Sequence, residues 1–302
     1  MKAAILPAFG QPLEIHTKPD PPIGTGEVLV EVVAAQIYHY TNEVLSGARK
    51  YLLPAPVTPG CGGIGRVIAT GPDATTLQPG DWVFCDPTRQ PLQPGHRAAG
   101  WSARGPGGQK IQAYHRDGTF ASRVRVPTEN AIPIGEIEDA EAGHWCALAA
   151  LLIPYGGLLA MEFRAGETLL VSGATGPLGG ATVLLALAMG AREVIAVGRN
   201  EGKLAQLRER LGPRVVPVKL SGDSEKDIAA MKAAAAGGID AVLDFLPPAA
   251  SATVARSAIM AVRPYGRVVL MGGCRDAGGR GIAVAVSLDY AQSDYHQGTV
   301  DV

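Results

Sequence analysis

Residues 167–179 constrain the fold more than any other stretch of the chain: they read Glu-Thr-Leu-Leu-Val-Ser-Gly-Ala-Thr-Gly-Pro-Leu-Gly. An apolar run of strand length leads directly into glycines spaced Gly-x-x-Gly-x-x-Gly, then into an alanine- and leucine-rich stretch over 177–189. A strand without polar alternation is covered on both faces, as in a parallel sheet. Pro177 suits the first helical turn, where its missing N–H is not needed. The glycines then have mechanical roles. The first turns the chain off the strand, the bare backbone lets a pyrophosphate approach, and the last lets helix and strand pack closely. The helix N-terminus offers unpaired N–H groups and the positive end of its dipole to the phosphate. Gly173, Ala174, Thr175, Gly176, Pro177, Leu178 and Gly179 are therefore predicted to bind the phosphates of a dinucleotide.

The alternation continues downstream. Strands are predicted over 194–197, 215–218, 239–245 and 267–271, separated by helices over 201–211, 224–236 and 250–262. With the first strand and helix, this is a doubly wound parallel α/β sheet. At roughly 150 residues per domain, a 302-residue chain has room for a second domain. Residues 1–125 differ in texture: short alternating runs over 27–33, 65–69, 81–84 and 119–126 lie between proline and glycine turns. They predict a small, partly open β-barrel. The polar, aperiodic stretch 87–118 is predicted to be a surface loop. The expected division is 1–125, 126–281 and a short tail, 282–302.

The second strand decides which dinucleotide. A site for NAD usually ends this strand with an acid on the ribose 2′-hydroxyl. Here Val197 is followed by Gly198 and Arg199, and Glu193 lies before the strand. Without a carboxylate, nothing repels a 2′-phosphate; the planar guanidinium of Arg199 can pair with it, and Lys203 follows one helical turn on. NADPH is the predicted cofactor, with Gly198, Arg199 and Lys203 at its adenosine end.

A formal net charge of −1 with no basic block argues against nucleic acid or an anionic membrane as the main partner, leaving a small-molecule substrate. The run 181–190 is too short for a bilayer span, and Pro7 interrupts any N-terminal signal core. A cytoplasmic location is expected. The four cysteines, Cys61, Cys85, Cys146 and Cys274, are dispersed with no Cys-x-x-Cys, which reads as reduced core thiols.

The order of a small β domain, Pro-Gly-Asp-Trp-Val at 79–83, the Gly-Ala-x-Gly-x-x-Gly loop, and Gly-Arg-Val-Val-Leu-Met-Gly-Gly at 266–273 resembles the medium-chain dehydrogenase/reductase superfamily. The resemblance implies a GroES-like catalytic domain beside a Rossmann domain. It also implies that Phe245, Gly272 and Gly273, after the fourth and fifth strands, lie near the nicotinamide. Zinc-dependent members carry Cys, His and Cys or acid ligands. At the matching positions this chain has Tyr38, Cys61 and Ala149, with Gly62 where the family has a glutamate. No metal is therefore predicted; an unusual site from Cys61 with Cys146, His39 or His144 is the alternative. Without zinc the likeness is to quinone oxidoreductases and enoyl reductases, which pass a hydride to an electron-poor double bond. Tyr51 falls roughly where enoyl reductases carry a proton-donating tyrosine, and Tyr40 where zinc enzymes place a relay hydroxyl; both are candidate catalytic residues.

Only residues 274–302 follow Gly273, fewer than the family's sixth strand and returning segment require, so the C-terminus is expected to be shortened. A homodimer through the uncovered sheet edge is expected in compensation. The reading is an NADPH-dependent, zinc-independent reductase of α,β-unsaturated carbonyls or quinones. The alternatives are an alcohol dehydrogenase with an unusual metal site and a nucleotide-binding protein without turnover.

Overall fold

The computed structural model describes residues 1–87, 105–247 and 250–272. The chain divides into two compact units, Met1–Ala149 and Ala150–Val302.

In the first unit, strands β1 (Lys2–Ile5) and β2 (Glu14–Thr17) form an antiparallel pair. Strands β3 (Glu27–Ala35), β4 (Gly63–Thr70), β5 (Trp82–Cys85), β6 (Arg123–Pro127) and β7 (Ala131–Pro133) form a five-stranded antiparallel sheet in the order β6-β3-β4-β5-β7. Its core is valine-rich, with Val28, Val30, Val67, Val83, Val124 and Val126 buried together. The short helix α1 (Thr41–Leu45) follows β3, and α2 (Gly105–Tyr114) precedes β6. Helix α2 corrects the expectation of a loop over 87–118 for residues 105–114; residues 88–104 lie outside the described residues. Its glycines are poor helix formers. Tertiary contacts at its end compensate: Arg125 stacks 4.2 Å from the Tyr114 ring centroid and donates to the Tyr114 carbonyl at 2.7 Å.

Strands β6 and β7 pair with β3 and β5, so the boundary expected after residue 125 falls inside β6. Residues up to 149 belong with the first unit for that reason. Helices α3 (Ala142–Trp145) and α4 (Leu148–Ala160) come next. The apolar helical stretch Asp139–Ala160 has 22 residues, enough by length and composition alone to cross a bilayer, and longer than the apolar run singled out in the sequence. Its end is nevertheless part of a protein core: Leu158 is fully buried against the sheet of the second unit.

The second unit is the predicted α/β alternation. Its elements are β8 (Thr168–Ser172), α5 (Pro177–Ala188), β9 (Glu193–Gly198), α6 (Glu201–Leu211), β10 (Val215–Lys219), α7 (Ser224–Ala233), β11 (Ile239–Asp244), α8 (Ala252–Ala261) and β12 (Val262–Leu270). All five strands run parallel in the order β10-β9-β8-β11-β12. The chain order reverses between β8 and β11, the crevice where such sheets bind ligands. Alternate residues feed two cores: Leu169, Val171, Ala241 and Leu243 face one, Leu170, Ile195 and Val242 the other. Strand β12 starts at Val262, earlier than expected, because an irregular pairing with β11 between Ile239 and Ala241 absorbs the extra residues.

Candidate functional site

The predicted phosphate loop lies at the switch point of the second unit. Gly173 has φ +79°, a left-handed conformation that turns the chain off β8. The Gly176 amide donates to the Gly173 carbonyl at 3.0 Å, and the Ala174 amide to Val197 at 3.0 Å, which ties the loop to β9. A side chain at Gly179 would have no room: its Cβ would overlap the Gly173 carbonyl oxygen and lie 2.8 Å from the Ala174 Cα. The predicted close packing of helix and strand is thus present. Helices α6, α7 and α8 are each capped by a side chain, from Asn200, Asp223 and Ser251 respectively. Helix α5 has Gly176 at its N-cap and no side-chain cap, so its first amides are left for a ligand.

Beside the loop is a cavity of 490 Å³, within the roughly 300–1,000 Å³ of typical ligand sites. Gly173, Thr175, Gly176, Gly198, Arg199 and Phe245 line it, bringing six of the predicted residues to one place. Arg199 is exposed at the end of β9 and makes no ion pair among the described residues. Ala174, Pro177, Leu178 and Gly179 shape the loop and the helix start without lining the cavity. Lys203 does not line it either. Its side chain is exposed, and its amide is bound by Asn200 Oδ1 at 3.0 Å in the α6 cap. Gly272 sits against the 244–246 segment, its amide donating to the Asp244 carbonyl at 3.0 Å. Gly273 lies outside the described residues.

Sequence reasoning missed the far wall. Leu220, Gly222, Ser224 and Asp227 after β10, with Thr253 and Ser257 on α8, also line the cavity. The signal was available, because ligands gather at the carboxyl ends of all strands, the third included. Asp227 is buried, yet it is no ribose acceptor: Oδ1 takes the Ser221 amide and hydroxyl, each at 2.7 Å.

Tyr40 and Tyr51 belong to the first unit. Both pack on a small cluster of Leu6, Val44, Leu53 and Val57, with Tyr38 and Cys61. The Tyr38 and Tyr40 rings stack at 5.4 Å, and the Arg49 guanidinium lies 4.1 Å from the Tyr40 ring centroid. The residues at the family's zinc positions do not fit a tetrahedral metal site. Tyr38 is stacked, Cys61 is in this cluster, and Ala149 is buried with Cys146 in a different one around Trp82 and Phe84. Among the described residues no three His, Cys, Asp or Glu side chains converge to hold a metal.

Residues 24–136 match the alcohol dehydrogenase GroES-like domain, and residues 177–290 match the zinc-binding dehydrogenase family. The chain belongs to the medium-chain dehydrogenase/reductase superfamily. An alcohol dehydrogenase of Rhizobium meliloti is 32% identical over 240 residues, 76% of this chain and 66% of that protein. The acryloyl-coenzyme A reductase of Metallosphaera sedula is 27% identical over 235 residues, 75% of this chain and 67% of that one. The chain thus spans about two thirds of these relatives' length. A putative zinc-binding dehydrogenase from Sinorhizobium meliloti, solved bound to NADP, shares the fold with a TM-score of 0.68 at 24% identity, over 92% of this chain and 78% of that one.

Proposed function

We propose that this protein is an NADPH-dependent reductase of α,β-unsaturated carbonyls or quinones that works without catalytic zinc. The observation that carries the cofactor half is Arg199, a cation on the cavity wall at the end of β9, where an NAD site would hold an acid. The loop 173–176 and the uncapped start of α5 would hold the pyrophosphate, and Arg199 the 2′-phosphate. The bound nicotinamide supplies a hydride. Gly173 and Phe245 line the cavity beside each other.

The substrate half follows from the residues at the family's metal positions, Tyr38, Cys61 and Ala149, which do not make a zinc ligand set. Reducing a plain ketone asks for a strong electrophile on its oxygen, usually zinc. A conjugated carbonyl delocalises the developing charge itself and needs orientation and a proton, which the phenol of Tyr51 or Tyr40 is suited to give. The acryloyl group named for the Metallosphaera relative is such a conjugated acyl group, which supports the reading. Cofactor consumption measured with enones, quinones, aldehydes and, in reverse, alcohols tests it. Turnover of enones or quinones by zinc-free protein is expected. Turnover of alcohols alone, dependent on added zinc, would overturn it.

A further inference from the structure

Strand β11 carries two carboxyls with opposite fates. At its start, Asp240 accepts from the Thr168 amide at 2.7 Å and from Arg263 Nε at 2.6 Å, with Arg192 at 3.8 Å. Burial works to raise its pKa, but that amide and the two guanidinium groups outweigh it and hold the carboxyl below the usual range. At the other end, Asp244 is 2% exposed and meets no cation among the described residues. Strand β8 and helices α4 and α5 contain no charged residue, and the only one on α8, Arg256, is exposed. The arginines of β12 are engaged elsewhere, Arg263 with Asp240 and Arg267 with Glu167.

Asp244 is register-paired with Ser172, the residue just before the glycine loop. Its Oδ2 takes the Leu246 amide at 3.2 Å, and a Cβ on Gly272 would lie only 2.8 Å from the same oxygen, so the carboxyl is enclosed. Asp244 Oδ1 and Ser172 Oγ are both buried without a well-formed hydrogen bond among the described residues. The residues that follow each strand, Phe245 and Gly173, line the cavity, and the Phe245 N–H donates to the Ser172 carbonyl at 3.0 Å. Burial pushes the Asp244 pKa up, and the Ser172 hydroxyl and Leu246 amide offset this only in part.

We propose that Asp244 is a positioning residue that works as a neutral carboxylic acid, joining the end of β11 to the glycine loop through Ser172, so that dinucleotide binding is coupled to holding a proton on this one side chain. The inference rests on the dinucleotide reading above. An unpaired carboxylate behind the loop would cancel part of the positive potential that the loop amides and the α5 terminus present to phosphate. An anionic ligand in the cavity in turn raises the Asp244 pKa further. Binding therefore takes up a proton from solvent, and affinity falls by up to tenfold per pH unit as pH rises between the free and bound pKa values.

The test is calorimetric titration of the full chain with NADPH from pH 5 to 8, in buffers of different ionisation enthalpy, for the wild type and Asp244→Asn. The asparagine keeps the shape and stays neutral. Protons on the ligand's own phosphate are common to both proteins, so the difference between them reports Asp244. Extra proton uptake by the wild type, absent in Asp244→Asn together with its share of the pH dependence, is the expected result. Equal proton uptake and parallel pH profiles would overturn the coupling while leaving the dinucleotide site intact. Failure of the wild type to bind either NADPH or NADH would overturn both readings. Should Asp244→Asn not fold, Ser172→Ala removes an offsetting hydroxyl and is expected to move the fall in affinity to higher pH; an unmoved profile refutes the coupling.

Discussion

Gly179 and Gly180 are neighbours in the same helix, yet alanine is expected to have opposite effects at the two positions. At Gly179 an added Cβ would overlap the Gly173 carbonyl oxygen, lying 2.7 Å from the Gly173 carbonyl carbon and 2.8 Å from the Ala174 Cα. All three are backbone atoms, so relief requires α5 to move away from the turn that leaves β8. Overpacking of this kind costs about 1–3 kcal/mol, and a contact with fixed backbone belongs at or above the top of that range. Helix propensity returns at most about 1 kcal/mol. The net loss is about 2 kcal/mol, which lowers the melting point of a unit this size by about 4–8 °C. At Gly180 the nearest atom is the Ala174 carbonyl oxygen at 3.7 Å, an ordinary contact. Only the propensity gain remains, up to about 1 kcal/mol of stabilisation. Thermal unfolding of both variants by circular dichroism, with NADPH binding measured on each, is the assay. Gly179→Ala is expected to melt earlier and bind more weakly. If the two variants melt alike, the close helix–strand approach is not what the third glycine serves.

Other outcomes follow from the same structure. The Asp240 carboxylate stabilises the second unit above the unfolded aspartate pKa near 3.9, and that contribution disappears as pH falls through its lower folded value. Asp240→Asn is expected to cost about 1.5–3 kcal/mol at neutral pH and to flatten acid unfolding; an unchanged acid profile would count against the pairing. Leu243→Ala, at a fully buried position in the core of the parallel sheet, is expected to cost about 2–5 kcal/mol in denaturant unfolding, and a cost under about 1 kcal/mol would mean that core is loosely packed. Burial also raises the Cys146 thiol pKa, with the Ile64 backbone offsetting part of it. Site-resolved alkylation of the native protein should therefore label half-buried Cys61 well before Cys146, and equal rates would refute that.

The parallel sheet was legible because local and global signals agree there. Helix α6 has its expected bounds, 201–211, with Asn200 as its cap and Gly212 at φ +93° ending it. The first unit was less legible. Strands β1 and β2 are short and lean on each other, and α2 forms against its propensity because Arg125 anchors Tyr114. The helix α4 has almost no polar residue to mark a face, and Pro154 inside it reads locally as a break. In the site, the glycine loop and Arg199 were readable from spacing. The wall after β10 has no motif to mark Gly222, Ser224 and Asp227, and only the general rule that ligands gather at the carboxyl ends of the strands could have pointed there. The contrast between Asp240 and Asp244 was equally hidden. Both are acids on one strand, and only the register shows which meets an arginine.

The central claim is that the cavity beside residues 173–176 takes a dinucleotide and that Arg199 selects its 2′-phosphate. Dissociation constants for NADPH and NADH, measured side by side on the wild type and Arg199→Ala, test it most directly. A charge-assisted contact of about 1.5 kcal/mol corresponds to roughly tenfold in affinity. NADPH is expected to bind at least that much more tightly than NADH, and Arg199→Ala to lose this preference with NADH binding unchanged. Equal affinities in the wild type, or tighter NADH binding, would contradict the account.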